Sequence, residues 1–474
     1  MLGALRARLA EIGYTAERLG DVLRAERLTS RPAELAVHLR RLEGRDPFAA
    51  IVELFVLGLD VETERARRAF QPVDLRELEQ AELIEADEGS VRAAVKLVPH
   101  GDLLIASDAD RVQGEDRYWV VGIHPPSVTL ARLTIRRSGE RVLDMGTGNG
   151  VQALLASKHA AGVVATDVNG RALRYVELNA RLNGVSNVEL REGSFFEPVA
   201  GERFDLIVTN PPYVISPDSV YAYRDSGLPG DEVSRSVVAA APEYLAEEGF
   251  AHVLVSWAHE ADGWRPPVLE WVRGSGYDAW VLHFDTDDPV SHAAAWLKPL
   301  ALTDAPAFEA ALGRWLDYLE REAITAIAYG AVVLRRRGGD GNWVRAENAS
   351  LAKGEAGRHL QRLFANGDLL AADGLMDARL SLAAGNEVRQ TLSLSAGAPT
   401  LERSTLTLRE GIGFELGLDE HTLQLLLELD GVRTLGEALA ERAAALGVDE
   451  AKYVEAALPV VRRLLELGFL GATR

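Results

Sequence analysis

The chain has 474 residues, 47% of them hydrophobic, enough for roughly two to four domains with sizeable cores. It contains no cysteine, which excludes a disulfide framework, a thiolate metal cluster and the cysteine nucleophile that pyrimidine C5 methylation needs. With 71 acidic against 51 basic side chains the formal net charge is −20, which opposes broad phosphate binding except on a local basic face.

The N-terminal run Met1-Leu2-Gly3-Ala4-Leu5-Arg6-Ala7-Arg8 is too charged for a secretory signal, and no segment has the length of a membrane span. A cytoplasmic protein with no membrane partner is expected. Residues 1–45 carry helical periodicity in Leu5, Leu9, Ile12, Leu19, Val22, Leu23, Leu35, Leu39 and Leu42. Asp46-Pro47 has the form of a helix start, a capping side chain ahead of a proline at the first helical position. A helix ending at Gly58, others over 61–70 and 74–82, and a hairpin over 83–98 turning near Glu88-Gly89 predict a winged-helix-like module. Its third helix sets Asp74, Glu77, Glu79 and Glu82 against Arg76 alone, which suits substrate docking or structural support better than a DNA groove. An N-terminal domain over 1–100 follows.

Leu103-Leu104-Ile105 reads as a strand leading into a second domain, 101–337. Ser127 or Thr129 is placed to cap a helix over 130–135. Two basic clusters, Arg136-Arg137 with Arg132 and Arg335-Arg336-Arg337, have solvated charge at element ends as their simpler reading. Strand and helix then alternate: 141–144, 151–158, 163–166, 171–183, 188–191, 204–209, 234–245 and 252–256, the pattern of parallel strands with helices on both faces.

Three stretches in this alternation carry chemistry. In Asp144-Met145-Gly146-Thr147-Gly148-Asn149-Gly150 a strand runs into a glycine-rich turn that lets a ligand approach the backbone, and the helix behind it favours an anion. Asp167 ends the next strand, where a carboxylate can accept ribose hydroxyls. The apolar run Phe204-Asp205-Leu206-Ile207-Val208-Thr209 reads as a strand buried on both faces, and Asn210-Pro211-Pro212-Tyr213 sits at its carboxyl end. Two prolines fix φ and remove two N–H donors, which holds the Asn210 side chain and the Pro211 carbonyl as acceptors for an NH2 group, with Tyr213 as a flat face beside them.

This order of motifs resembles the S-adenosylmethionine-dependent methyltransferases that act on planar nitrogens, and among them the HemK/PrmC-like protein glutamine N-methyltransferases, over about residues 118–335. The resemblance implies an α/β, Rossmann-like class I methyltransferase fold with a seven-stranded, mostly parallel sheet and an antiparallel closing strand. It implies S-adenosyl-L-methionine held by Asp144, Gly146, Thr147, Gly148, Gly150, Asp167, Val168, Ser194, Phe195 and Asn210, with Asn210, Pro211 and Tyr213 as the catalytic set. The family's acidic residue after the third strand is replaced here by Gly193-Ser194-Phe195-Phe196, so Ser194 is left to hydrogen-bond adenine and Phe195 to pack on it. No metal is implied.

The long polar segment 214–231 is expected to be a substrate lid, although Tyr223-Arg224-Asp225 does not reproduce the family's glycine-rich pattern there. A helix over 268–273, a strand over 278–284, a helix over 308–321 and a last strand over 331–335 complete the domain. Gly338-Gly339-Asp340-Gly341-Asn342 reads as a linker to a C-terminal domain, 338–474. There Thr405–Leu408 and Gly411–Leu416 read as pairing strands, helices follow over 420–429, 435–446 and 449–467, Asp430-Gly431 is a turn and Thr434 a cap, a winged-helix-like arrangement over 400–470. The expected activity is methyl transfer to a planar nitrogen, with a glutamine-type amide of a protein or peptide favoured over nucleic acid. An exocyclic amine of adenine or guanine, a small-molecule amide or amine, and a non-enzymatic cofactor-binding scaffold stand as alternatives.

Overall fold

The computed structural model describes all residues except 25–31, 110–116, 261–262, 274–275, 339–341, 351, 396–397 and 474. At its centre the apolar runs of residues 141–336 become strands β1 (Arg141–Met145), β2 (Gly162–Asp167), β3 (Val188–Glu192), β4 (Phe204–Thr209), β5 (Leu245–His259), β6 (Tyr277–Asp287) and β7 (Ala326–Arg336). They lie in the order β3-β2-β1-β4-β5-β7-β6, and β7 is antiparallel to both of its neighbours. An eighth strand, β8 (Val344–Asn348), adds in parallel to β6. The sheet is therefore eight-stranded, not seven-stranded as expected. The glycine linker read at 338–342 does not end the sheet, because Val344–Asn348 returns to it; Gly339, Asp340 and Gly341 themselves lie outside the described residues.

Helices α1 (Pro125–Leu133), α2 (Val151–Ser157), α3 (Gly170–Asn183), α4 (Glu232–Ala240) and α5 (Arg265–Val272) cover the sheet. Alternation along the strands divides them between two cores. Leu143, Ile207, Val253 and Val332 pack with Val237 and Val268 of α4 and α5, whereas Val142, Leu206, Leu254 and Val333 face the opposite way. The helix expected over 234–245 is shorter: Pro242 cannot supply a helical N–H, so the chain tightens into a single turn over Ala241–Tyr244 and enters β5 at Leu245. A helix over 289–303 that periodicity does not reveal, α6, precedes the expected α7 (Ala305–Arg321).

The N-terminal segments pack on α3 through Ala172, Tyr175 and Leu182. Two asparagines of α3 act as surrogate strand partners for Leu103–Asp108. Asn183 accepts from the Leu104 N–H (2.9 Å) and donates to its carbonyl (2.7 Å), and Asn179 does the same for Ala106 (2.7 and 2.9 Å). Asp46 does not cap a helix as expected; the helix begins at Phe48 with no side-chain cap, and Asp46 pairs with Arg65 at 2.7 Å instead.

After β8, α8 (Gly357–Ala371) lies against the end of α1 so closely that a Cβ on Gly357 would stand 2.3 Å from the Thr134 carbonyl oxygen. Phe364 of α8 meets Phe250 of β5 edge-on at 5.1 Å, and Phe414 lies 6.2 Å from Trp280, so C-terminal residues share the core of one sheet face. Thr405–Leu408 does pair with the segment ending at Gly417, and Thr434 forms a capping box with Glu437. The turn read at Asp430-Gly431 is instead the start of a strand, Asp430–Thr434, held beside Arg379–Leu382.

Candidate functional site

Register brings the three motifs together. Met145 at the end of β1 is paired with Thr166 on β2 and with Thr209 on β4, so Gly146, Asp167 and Asn210 leave the sheet in one row. This is the point where strand order reverses, the crevice at which open α/β sheets bind ligands.

The turn after β1 uses left-handed backbone at Gly146 (φ 68°) and Gly148 (φ 56°), and nothing lies within 4 Å of a Cβ built on either, which leaves an open cradle. Thr147 Oγ1 (2.6 Å) and the Ala153 N–H (2.9 Å) both donate to Asp144 Oδ2, and burial pushes the Asp144 carboxyl up to about 7. Asp167 accepts from the N–H groups of Gly148 and Asn169, each at 2.9 Å, and burial raises its pKa as well.

Asp144, Gly146, Thr147, Gly148, Asp167, Val168, Ser194, Phe195, Asn210 and Pro211 line one cavity of about 260 Å³. Val168 (50% exposed) and Phe195 (36% exposed) bare apolar surface on it, a wall suited to a flat ring. Two expected residues are elsewhere. Gly150 is not among the residues lining the cavity, and a Cβ there would press within 3.0 Å of Val176, so the position needs a glycine for its close approach to α3. Tyr213 does not line the cavity because the segment that follows it doubles back: Tyr213 bridges to Asp225, its carbonyl accepts from Ser256 Oγ, and its side chain packs on a hydrophobic core.

Asn210 Oδ1 is buried and has no hydrogen-bond partner among the described residues, while Asn210 Nδ2 lies 3.4 Å from His124 Nε2. The Pro211 carbonyl accepts the Tyr213 N–H at 2.8 Å and keeps one lone pair. No motif in the sequence singles out His124 or the amides that hold its segment. Asn169 donates to the Tyr118 carbonyl (2.8 Å), Asn149 to Val121 (3.0 Å) and Gln152 to Ser127 (2.8 Å), fastening a strap across the cavity. The cap expected from Ser127 or Thr129 is not made. The helix starts earlier, at Pro125, with Ser127 in its first turn and Ser127 Oγ 2.9 Å from His124 Nδ1.

Residues 214–231 close one side. Trp315 of α7 donates to Asp218 (2.7 Å), Tyr318 accepts from the Gly230 N–H (2.8 Å), and Tyr223 packs on Trp119 of the strap at 5.7 Å. The basic clusters are spoken for. Arg136 pairs with Glu355 at 2.8 Å, Arg335 with Asp278 at 2.5 Å, and Arg337 with Asp368 at 2.5 Å.

The sheet order, the antiparallel β7 and a ligand crevice at the reversal point define a Rossmann-like methyltransferase fold. Residues 126–259 match the family described as Methyltransferase small domain, and 11–94 match a Domain of unknown function (DUF7059). Release factor glutamine methyltransferase of Xylella fastidiosa (strain 9a5c) is 38% identical over 145 residues, 27% of this chain and 53% of that protein. The enzyme of the same name from Yersinia pestis is 31% identical over 195 residues, 35% of this chain and 67% of that one. The putative protein N5-glutamine methyltransferase of Methanocaldococcus jannaschii is 32% identical over 137 residues, 27% of this chain and 68% of that one. This chain belongs to the HemK/PrmC-like branch of the S-adenosylmethionine-dependent N-methyltransferases, and it spans about half the length of the first of these relatives.

The residues present fit the cofactor the family implies. The open glycine cradle leaves room for its amino-acid part, the Asp167 carboxylate can accept ribose hydroxyls, and the apolar wall of Val168 and Phe195 suits a flat adenine. Among the described residues no helix is long and apolar enough to cross a membrane.

Proposed function

We propose that this chain methylates the side-chain amide nitrogen of a glutamine in a protein or peptide, using S-adenosyl-L-methionine. The observation that supports it is the buried, partnerless Asn210 Oδ1 at the end of β4, beside the Pro211 carbonyl. A buried acceptor left unpaired costs about 1–3 kcal/mol, and an incoming amide NH2 offers the donor that relieves it.

When bound, the cofactor supplies an electrophilic methyl group on a sulfonium sulfur. Asp144, Gly146, Thr147, Gly148, Asp167, Val168, Ser194 and Phe195 would hold it, the glycines by leaving room and Asp167 through its remaining lone pairs. An amide nitrogen is a poor nucleophile because its lone pair is conjugated with its carbonyl. Asn210 Oδ1 and the Pro211 carbonyl each accept one of its N–H groups, which orients the lone pair and stabilises the positive charge that develops on nitrogen. No base is required before transfer, and the spare proton leaves to solvent afterwards.

The relatives are named for glutamine methylation of release factors and, in Bradyrhizobium diazoefficiens, of ribosomal protein uL3, which supports a protein acceptor. The net charge of −20 and the ion-paired arginine clusters argue the same way against a nucleic-acid acceptor. The flanking regions we read as winged-helix-like. In the N-terminal one the strand Ser90–Ala93 lies between Val61–Glu62 and Ile84–Ala86, and the exposed acidic side chains of Leu75–Gln80 favour protein docking or support.

The test is incubation with methyl-labelled cofactor and fractionated lysate from cells lacking this chain. Label is expected in protein and should be released as methylamine on acid hydrolysis. Label in RNA, DNA or small molecules, or none at all, overturns the reading.

A further inference from the structure

An asparagine can present either its oxygen or its NH2 to a substrate, and the chemistry above works only if the oxygen faces the acceptor nitrogen. Nothing in Asn210 itself makes that choice. Its neighbour does. His124 Nδ1 lies 3.1 Å from the Gly122 carbonyl oxygen and 2.9 Å from Ser127 Oγ. A carbonyl can only accept, so the Gly122 contact calls for the ring proton on Nδ1, and Ser127 Oγ, a hydroxyl that can accept as well as donate, is compatible with it there. In a neutral imidazole Nε2 is then an acceptor, and the atom of Asn210 that can meet it is Nδ2, at 3.4 Å. Oδ1 is turned the other way, into the position where it is buried and partnerless.

We propose that His124 is a positioning residue whose Nδ1–H tautomer orients the Asn210 amide with its oxygen toward the acceptor nitrogen. This rests on the reading of Asn210 given above. Helix capping does not account for the ring. His124 occupies the N-cap position of α1, but Pro125 and Pro126 follow it without N–H groups, and its side chain makes no cap hydrogen bond. Burial lowers the pKa of His124, which keeps the ring neutral and Nε2 able to accept.

Two measurements decide. Long-range ¹⁵N–¹H correlation spectra of the full-length, ¹⁵N-labelled chain in neutral buffer, with His124 assigned against a His124→Gln sample, should show the neutral Nδ1–H tautomer. An Nε2–H tautomer or an imidazolium overturns the positioning role; the reading of Asn210 is judged separately, by the activity of Asn210→Ala. With methyl-labelled S-adenosylmethionine and lysate protein as the probe, His124→Leu should slow transfer about tenfold or more at unchanged cofactor affinity. His124→Gln, which restores an oxygen acceptor, should recover most of that loss. His124→Leu should add nothing in an Asn210→Ala background, since both act through one contact. Additive losses, or no recovery with Gln, overturn the role. Parent-level activity in Asn210→Ala alone overturns the reading of Asn210 and the role with it.

Discussion

The Gly148 N–H donates to Asp167 Oδ2 at 2.9 Å, so the carboxylate at the end of β2 braces the glycine turn that follows β1. One side chain thus both shapes the cradle and lines the cavity. Asp167→Ala removes a charged acceptor and the brace together, and should weaken S-adenosylmethionine binding about ten- to a hundredfold by calorimetric titration. Unchanged affinity would remove Asp167 from the cofactor set.

Asn210→Ala separates binding from chemistry. On the proposed reading, Asn210 meets the acceptor nitrogen through an oxygen whose contact strengthens as charge develops, so the variant should bind cofactor within about twofold of the parent and lose about a hundred- to a thousandfold in transfer rate. Equilibrium titration and label incorporation into protein, run side by side, check both halves.

The C-terminal segment should be required for a stable sheet. Phe364 is buried between Phe250 of β5 and Trp343, which leads into β8, so Phe364→Ala opens a cavity in a core shared by both parts of the chain. A loss of about 3–5 kcal/mol in urea unfolding is expected. Leu394→Ala, on the projecting hairpin and 84% exposed, is the control and should change stability by less than about 0.5 kcal/mol.

Much of this architecture is legible in the order of the amino acids. β4 can be read to the residue because an apolar run buried on both faces has few other outcomes. The glycine turn, Asp167 and Asn210 are recognisable as strand ends, and parallel register places strand ends side by side. What escapes depends on partners distant in the chain. Val344–Asn348 is short, closely follows the glycine-rich stretch 338–342 and gains its place in the sheet by pairing with β6. Helix α6 does carry a start signal, Asp288 ahead of Pro289, with Asp288 accepting the Val290 and Ser291 N–H groups, but Pro299 breaks the periodicity that would reveal it. His124 looks like any other of the ten histidines, since its contact with Asn210 spans 86 positions. Tyr213 reads as a stacking face because the return of the chain at Asp225, which turns it away from the cavity, is a tertiary event.

Asp144 gives a pH signature of its own. Burial pushes its carboxyl up to about 7 from an ordinary 3.8, so between those values the folded chain holds a proton that the unfolded chain has released. Stability from this group therefore falls as pH rises from about 4 to about 7, and is flat beyond. In Asp144→Asn a single amide oxygen can accept from both Thr147 Oγ1 and the Ala153 N–H, which share Oδ2 in the parent, without any charge to bury. Relative to the parent, the variant should gain stability on the order of a few kcal/mol across that window, measured by urea unfolding at a series of pH values. Cofactor binding should respond in the opposite sense. A cationic ligand favours the ionised carboxylate, so parent affinity should rise with pH toward about 7, with proton release on binding, and the slope should flatten in the variant. Parallel pH slopes for the two proteins would show that Asp144 is ionised throughout and that its burial carries no cost.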